Sequence, residues 1–176
     1  MILNSDISLT HPLWEKADNE LCSKDGIGLF GRLIDVYILA CSIGIKEDKT
    51  ITDFEDALKT PKTIGRNTYQ SMINEDLKRL LDFMLQNAII NTKTLDLSDE
   101  ERLKLAFHPD YTIAKLSPAA FLTGFANYGI EQIFKKITSG SPLVAIDDLY
   151  QYFSSLEEHQ YDDILAGITL SDLKNI

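Results

Sequence analysis

Residues 29–45 read LFGRLIDVYILACSIGI, the clearest structural signal in the sequence. Wound into a helix, it would carry apolar side chains around most of its circumference, with Arg32 and Asp35 as the charged exceptions. A helix that is apolar nearly all round is usually a buried one. The stretch therefore predicts a central helix, and Gly44 predicts either its end or a close approach by another segment.

Amphipathic patterns flank this central helix. Apolar residues at three- and four-residue spacing predict helices over residues 68–91 and residues 118–137. Ser98 followed by Glu101 has the spacing of a capping box and predicts a further short helix. The alternating residues 89–97 would also suit a strand, for which the sequence shows no partner. The chain is therefore predicted to be mainly α, a compact domain of about six to eight helices.

The core is predicted where the central helix meets the long helix after it. Five residues of the central helix are expected to be largely buried there: Leu33, Ile34, Tyr37, Ile38 and Cys41. The facing residues of the long helix are expected to be Leu77, Leu81 and Leu85. Both sets repeat at the spacing that places side chains on one face of a helix.

Charge divides the 176 residues into two predicted parts, a helical core domain over residues 1–136 and an acidic helical segment over residues 137–176. The formal net charge of the whole chain is -10. The acidic segment holds seven carboxylates and one lysine, which gives it a net charge of 1 − 7 = −6. It is expected to pack on the core domain or to dock to a partner.

The acidic segment is the candidate site for a protein partner, because it is rich in aromatic residues as well as in acids. Exposed aromatics beside charge are common anchors in protein interfaces. The candidate partner-binding residues are Asp147, Asp148, Tyr150, Tyr152, Phe153, Glu157, Glu158 and Tyr161. A partner of this segment is expected to be basic, and its binding to weaken as salt rises. Core packing alone would explain the same residues.

Residues 59–79 support an alternative, a nucleic-acid-binding helical domain. They carry five bases against two acids, a net charge of 5 − 2 = +3. The candidate nucleic-acid-binding residues are Lys62, Arg66, Lys78 and Arg79. The negative charge of the whole chain opposes contact with phosphates, so nucleic acid is expected only through a larger complex.

Nothing in the sequence predicts an enzyme. It contains no nucleophile elbow, phosphate loop or dinucleotide fingerprint, and its histidines lack metal-ligand spacing. Gly26-Ile27-Gly28 precedes a helix as a phosphate cradle would, but the lysine of such a loop is missing. We therefore expect no catalytic residue, no metal site and no cofactor, and no small-molecule substrate is evident.

The compartment is predicted from what the sequence lacks. No apolar run reaches the roughly 20 residues that a membrane-spanning helix needs, and the first residues do not form a secretory signal. Cys22 and Cys41 fit reduced cysteines of a cytosolic protein, with a disulfide between them as the alternative. A cytoplasmic protein that does not enter the membrane is expected.

Two stretches resemble a known family. They are residues 29–45, with the polar KEDKT after them, and residues 118–134, which read PAAFLTGFANYGIEQIF. They are similar to small helical accessory proteins encoded beside bacterial phage-defence genes, including the phosphorothioation-associated type. The shared phrases are A-x-x-x-G at residues 40–44 and F-A-N-x-G at residues 125–129. The resemblance does not extend to residues 137–176.

This resemblance implies a function by association. It suggests a non-catalytic helical subunit or adaptor of a bacterial multiprotein complex, acting in antiviral defence. The implied partner is an ATPase, a nuclease or a chromosome-structure-like subunit.

Overall fold

Helices form most of the computed structural model, which describes residues 3–22, 25–70, 75–108, 111–113 and 116–166, without the side chains of residues 157–166. Within these residues lie seven α-helices: α1 Leu13–Lys16, α2 Leu33–Glu47, α3 Arg66–Gln70, α4 Glu75–Asn91, α5 Asp99–Phe107, α6 Pro118–Lys136 and α7 Pro142–Ala166. A π-helical segment, Ala17–Cys22, continues α1. The prediction of a mainly helical domain is confirmed.

The chain divides into two compact units, Met1–Phe134 and Lys135–Ile176. The first unit holds most of the buried apolar side chains, including Trp14, Tyr37 and Phe125, none of which is exposed. The described part of the second unit includes the end of α6, the loop after it and the whole of α7. None of the described helices combines the length and the apolar character that a membrane-spanning segment needs.

The central helix α2 starts and ends later than the apolar run suggests. Arg32 is extended, with φ −149° and ψ 147°, so the helix begins at Leu33 rather than at Leu29. Asp48 ends it in the left-handed conformation, with φ 50°, and its carboxylate accepts hydrogen bonds from the Lys93 N–H at 3.0 and 3.1 Å. Those bonds hold an aspartate in a conformation that most side chains avoid.

Gly44 lies inside α2, where it allows α6 to approach. A Cβ at Gly44 would overlap the backbone of Phe125, and a Cβ at Gly129 would overlap the carbonyl of Ala40. The residues 40–44 and 125–129 therefore form one helix crossing, which we call the α2–α6 crossing. Small residues at such a crossing bring two backbones into direct contact, so these positions have a structural reason to be small.

Polar side chains reinforce the α2–α6 crossing. The buried indole N–H of Trp14 donates to Asn127 Oδ1 at 2.8 Å, and Asn127 Nδ2 donates to the Ile51 carbonyl at 3.0 Å. Nearby, the hydroxyls of Tyr37 and Thr123 lie 3.4 Å apart. Each buried polar group thus has a partner, which removes the cost of burying it unpaired.

A two-stranded antiparallel sheet lies outside the helical pattern and was not predicted. Strand β1, Ile7–Leu9, pairs with β2, Lys62–Ile64, with Ile7 opposite Ile64. Ile7 and Leu9 point into the core and Ser8 is exposed, which is the alternation expected of a half-buried strand. The Tyr69 hydroxyl, which donates to the Ser5 carbonyl, secures the start of this strand.

Residues 89–97 do not form the strand that their alternating pattern would also suit. Helix α4 continues to Asn91, and the loop after it is held by Arg102 of α5. The Arg102 guanidinium donates to four backbone carbonyls, at Ile89, Thr92, Leu95 and Leu97. Ser98 and Glu101 form the predicted capping box at the start of α5.

Candidate functional site

The α7 helix of the second unit exposes large apolar side chains. Leu143 is 79% exposed, Ile146 is 51% exposed and Tyr150 is 70% exposed. They are spaced three and four residues apart, so they lie along one face of the helix, and the exposed Asp147 lies on the same face. We call Leu143, Ile146, Asp147 and Tyr150 the α7 stripe.

Only some of the predicted partner-binding residues belong to the α7 stripe, and the others lie elsewhere on α7. Asp147 and Tyr150 belong to the stripe, whereas Tyr152 is only 8% exposed. The ring of Tyr152 lies 5.0 Å from Lys136 Nζ and 5.8 Å from the ring of Phe153, which is half-buried.

Asp148 has a structural partner. Its carboxylate accepts hydrogen bonds from the backbone N–H and the hydroxyl of Thr138, both at 2.8 Å. This ties the loop between α6 and α7 to the first turns of α7. Glu157, Glu158 and Tyr161 belong to the helical backbone of α7, but their side chains lie outside the described residues.

Leu143 and Ile146 are site residues that sequence reasoning missed. The only signal for them is their spacing relative to Tyr150, and the same spacing is expected of a helix face that packs into a core. Exposure alone distinguishes the two cases, and the sequence does not carry it.

The basic residues 59–79 are partly engaged with carboxylates. Lys62 Nζ lies 2.8 Å from Asp18, and this hydrogen bond raises the pKa of Lys62. Arg79 lies 2.6 Å from Glu75. Arg66 is exposed at the start of α3, and Lys78 is half-buried in α4. The four bases are thus spread over β2, α3 and α4, and two of them have acidic partners.

The Gly26–Gly28 turn uses its donors within the chain. The backbone N–H groups of Ile27 and Gly28 both point to the Glu20 carbonyl, at 2.6 and 3.4 Å. A Cβ at Gly26 would lie 2.5 Å from the same carbonyl oxygen, so the glycine allows a close turn. This turn closes the π-helical segment, and these donors are not directed at a ligand.

A metal site would need several nitrogen, sulfur or oxygen ligands close together. No cluster of three or more histidine, cysteine, aspartate or glutamate residues occurs in the part of the chain that the structure describes. Both cysteines are free thiols, and burial raises the pKa of Cys22 to about 11, with Asp18 and Asp35 adding to the shift. A thiol with this pKa is a weak nucleophile at neutral pH.

A cleft of about 280 Å³ opens in the first unit. Its walls come from residues 5–10 and from residues 51–54, and its floor is the first half of α6. The lining residues are Ser5, Asp6, Ser8, Thr10, Ile51, Thr52, Phe54, Ser117, Ala119, Ala120, Thr123, Gly124 and Asn127. The cleft therefore joins three segments that are far apart in the sequence.

His11 lies beside this cleft, in edge contact with Phe54, with the ring centroids 4.9 Å apart. His11 Nε2 lies 3.5 Å from Glu131, and its Nδ1 accepts a hydrogen bond from the Leu13 N–H at 3.3 Å. Burial lowers the pKa of His11, and the carboxylate of Glu131 opposes that shift. The imidazole is accordingly neutral near pH 7, with both ring nitrogens engaged.

Comparisons with family models, with curated proteins and with solved structures find no match to this chain.

Proposed function

We propose that this chain is a non-catalytic helical subunit or adaptor that binds a protein partner through the α7 stripe. The observation that carries the proposal is the exposure of Leu143, Ile146 and Tyr150 along one helix face. Exposed apolar groups that lie together are typical of a surface that another molecule covers. A tyrosine suits such a surface, since it buries a large ring at a low cost in side-chain entropy.

Charge specifies the chemistry of the partner. Asp147 lies within the stripe, and residues 137–176 carry a net charge of −6, as counted above. A basic surface would complement this charge, and attraction between the two would speed association and weaken with added salt. The partner is therefore proposed to present an apolar groove bordered by lysine or arginine.

The biological setting is proposed from the family resemblance alone. Accessory proteins of phage-defence operons work beside an ATPase, a nuclease or a chromosome-structure-like subunit, and we propose such a partner in the bacterial cytoplasm. Residues 40–44 and 125–129, which carry the two phrases of the resemblance, pack against each other at the α2–α6 crossing. The same phrases carry no chemistry, which fits a subunit that assembles rather than reacts.

Co-purification from the native host tests the proposal. The tagged full chain is compared with Tyr150→Ala and with Phe107→Ala, which removes an aromatic ring of similar exposure, 60%, from α5. We expect an ATPase or nuclease subunit to accompany the wild type and Phe107→Ala, and to be lost with Tyr150→Ala.

Two outcomes would contradict the proposal. One is a wild-type chain that purifies alone at low salt. The other is equal loss of the partner with both variants, which would place the interface elsewhere or show a general loss of folding. Circular dichroism of each variant identifies a folding defect.

A further inference from the structure

We infer that the cleft between β1, residues 51–54 and α6 binds a small, uncharged, hydroxyl-bearing ring compound of about monosaccharide or nucleoside size. This site lies in the Met1–Phe134 unit and shares no residue with the α7 stripe. Its volume, about 280 Å³, is just below the roughly 300–1,000 Å³ usual for small-molecule pockets, so only a small compound would fit.

The walls of the cleft are held in place without a ligand. The Ile51 N–H donates to the Gly124 carbonyl at 2.9 Å, and the Leu58 N–H donates to the Thr10 carbonyl at 2.8 Å. Asn127 fixes the carbonyl of Ile51 from the floor. A pocket with walls fixed in this way loses little conformational freedom when it is filled, which favours binding of a small molecule.

Hydroxyl groups dominate the polar lining. Six lining side chains carry one: Ser5, Ser8, Thr10, Thr52, Ser117 and Thr123. The hydroxyls of Ser117 and Thr123 are used within α6, where Ser117 accepts from the Ala120 N–H and Thr123 donates to the Ala119 carbonyl. Within the described part of the chain, the side chains of Ser8, Thr10 and Thr52 form no hydrogen bond. They remain as donors and acceptors for a ligand that carries hydroxyls.

The remaining lining groups exclude an anion and provide an apolar surface. The described lining includes no lysine or arginine, and it includes Asp6, whose carboxylate accepts a hydrogen bond from the Arg66 backbone N–H at 2.6 Å. An anionic ligand would meet this charge without compensation. The half-buried ring of Phe54 offers a face or edge for an apolar ring surface of the ligand.

Ala120 allows a direct test because it lines the cleft and is exposed. Replacing it by tryptophan, Ala120→Trp, would fill the space without removing a buried contact. The matched control is Ala57→Trp, since Ala57 is also exposed and is not part of the lining. Circular dichroism and thermal melting show whether either variant has lost its fold.

The experiment titrates the full chain, uniformly ¹⁵N-labelled, with D-glucose and, in a separate arm, with adenosine, while amide chemical shifts are followed by NMR. We expect at least one of the two to shift amides of residues 51–54 and 119–124 saturably, and inorganic phosphate to leave them unchanged. Ala120→Trp should weaken that binding roughly tenfold or more, and Ala57→Trp should not.

The two arms separate a sugar-like from a nucleoside-like ligand. The inference is overturned if neither compound shifts these amides at millimolar concentration, if phosphate alone binds there, or if a folded Ala120→Trp chain binds as well as the wild type. If Ala120→Trp does not fold, Thr52→Val replaces it, because Thr52 is exposed and loses only its hydroxyl.

Discussion

The α2–α6 crossing and the α7 stripe are both apolar helix faces, and they differ in what covers them. At the crossing, glycines bring two backbones into contact, so the apolar surface of each helix is covered by the other. In the stripe, Leu143 and Tyr150 keep most of their surface open to solvent. Apolar content alone therefore does not identify a core, because apolar side chains occur both on a helix face that another helix covers and on a face that is open to solvent.

The largest expected effect comes from adding one methyl group at the crossing. Gly129→Ala places a Cβ against the Ala40 carbonyl. Because both contacting groups belong to helix backbones, the overlap can be relieved only if the two helices move apart. We expect the free energy of unfolding to fall by about 3 kcal/mol, even after the roughly 1 kcal/mol that alanine gains in helix propensity. Urea unfolding measures the change.

The control for this variant is Gly31→Ala. A Cβ at Gly31 meets nothing within 4 Å, so the free energy of unfolding should stay within about 0.5 kcal/mol of the wild type. Equal stability of the two variants would mean that the α2–α6 crossing is not closely packed.

The second expected effect concerns Asn127, which joins the crossing to Trp14 and Ile51. Asn127→Ala would leave the buried Trp14 N–H and the Ile51 carbonyl without this partner. Each unpaired buried group costs about 1–3 kcal/mol, so we expect a loss of about 2–4 kcal/mol. The same change at the exposed Asn91 should alter the urea midpoint little, and a mild effect at Asn127 would show that water replaces the lost bonds.

The third effect is a dependence of stability on pH that arises from His11. Because burial lowers the pKa of His11 in the folded chain, the unfolded chain binds a proton more readily, and protonation favours unfolding. The contribution of His11 to stability is therefore present above its ordinary pKa of 6.5 and is lost as pH falls below that value.

Thermal melting between pH 7.5 and 5, about one unit or more to either side of 6.5, measures this loss. We expect the fall in Tm to be smaller in His11→Gln than in the wild type. His108→Gln serves as the control, since His108 is an exposed histidine. Identical slopes in all three proteins would remove His11 as the cause.

The smallest effect on stability is expected in the α7 stripe. Tyr150→Ala removes a ring that is 70% exposed, so the free energy of unfolding should change by no more than about 0.5 kcal/mol. One methyl group added at the crossing should thus cost more than a whole ring removed from the stripe. A strongly destabilised Tyr150→Ala chain would instead show that the ring is part of a core.

The helices could be predicted because their signals are local. Ser98 and Glu101 form the capping box that their spacing indicates, and Arg32 and Asp35, three residues apart, form an ion pair, with Arg32 Nη2 2.8 Å from Asp35 Oδ1. Local hydrogen bonds and periodic apolar positions involve residues a few places apart, which a single sequence displays directly.

The burial of the central helix was predicted only in part. Ile34, Tyr37 and Cys41 are fully buried, whereas Leu33 and Ile38 are half-buried, contrary to expectation. When a helix is apolar nearly all round, its sequence does not show which of its faces is the most buried. That face is set by α4 and α6, whose positions depend on the whole fold.

The sheet and the cleft could not be predicted because they depend on distant residues. Each strand has three residues, too few for an alternating pattern to stand out, and Ile7 pairs with Ile64 across an intervening helical region. The cleft brings together side chains from three segments, of which none carries a motif. The exposure of Leu143 and Ile146 was equally hidden, since core helices show the same spacing.

The α2–α6 crossing also has a consequence for the order of folding. The Tyr37 and Thr123 hydroxyls that meet beside it are 86 residues apart in the chain, whereas Arg102 reaches the Ile89 carbonyl across 13 residues. Closing the longer loop costs more chain entropy, and contacts between distant residues slow folding. The α4–α5 connection is therefore expected to form early, and docking of α6 on α2 to be the slow, committing step of folding.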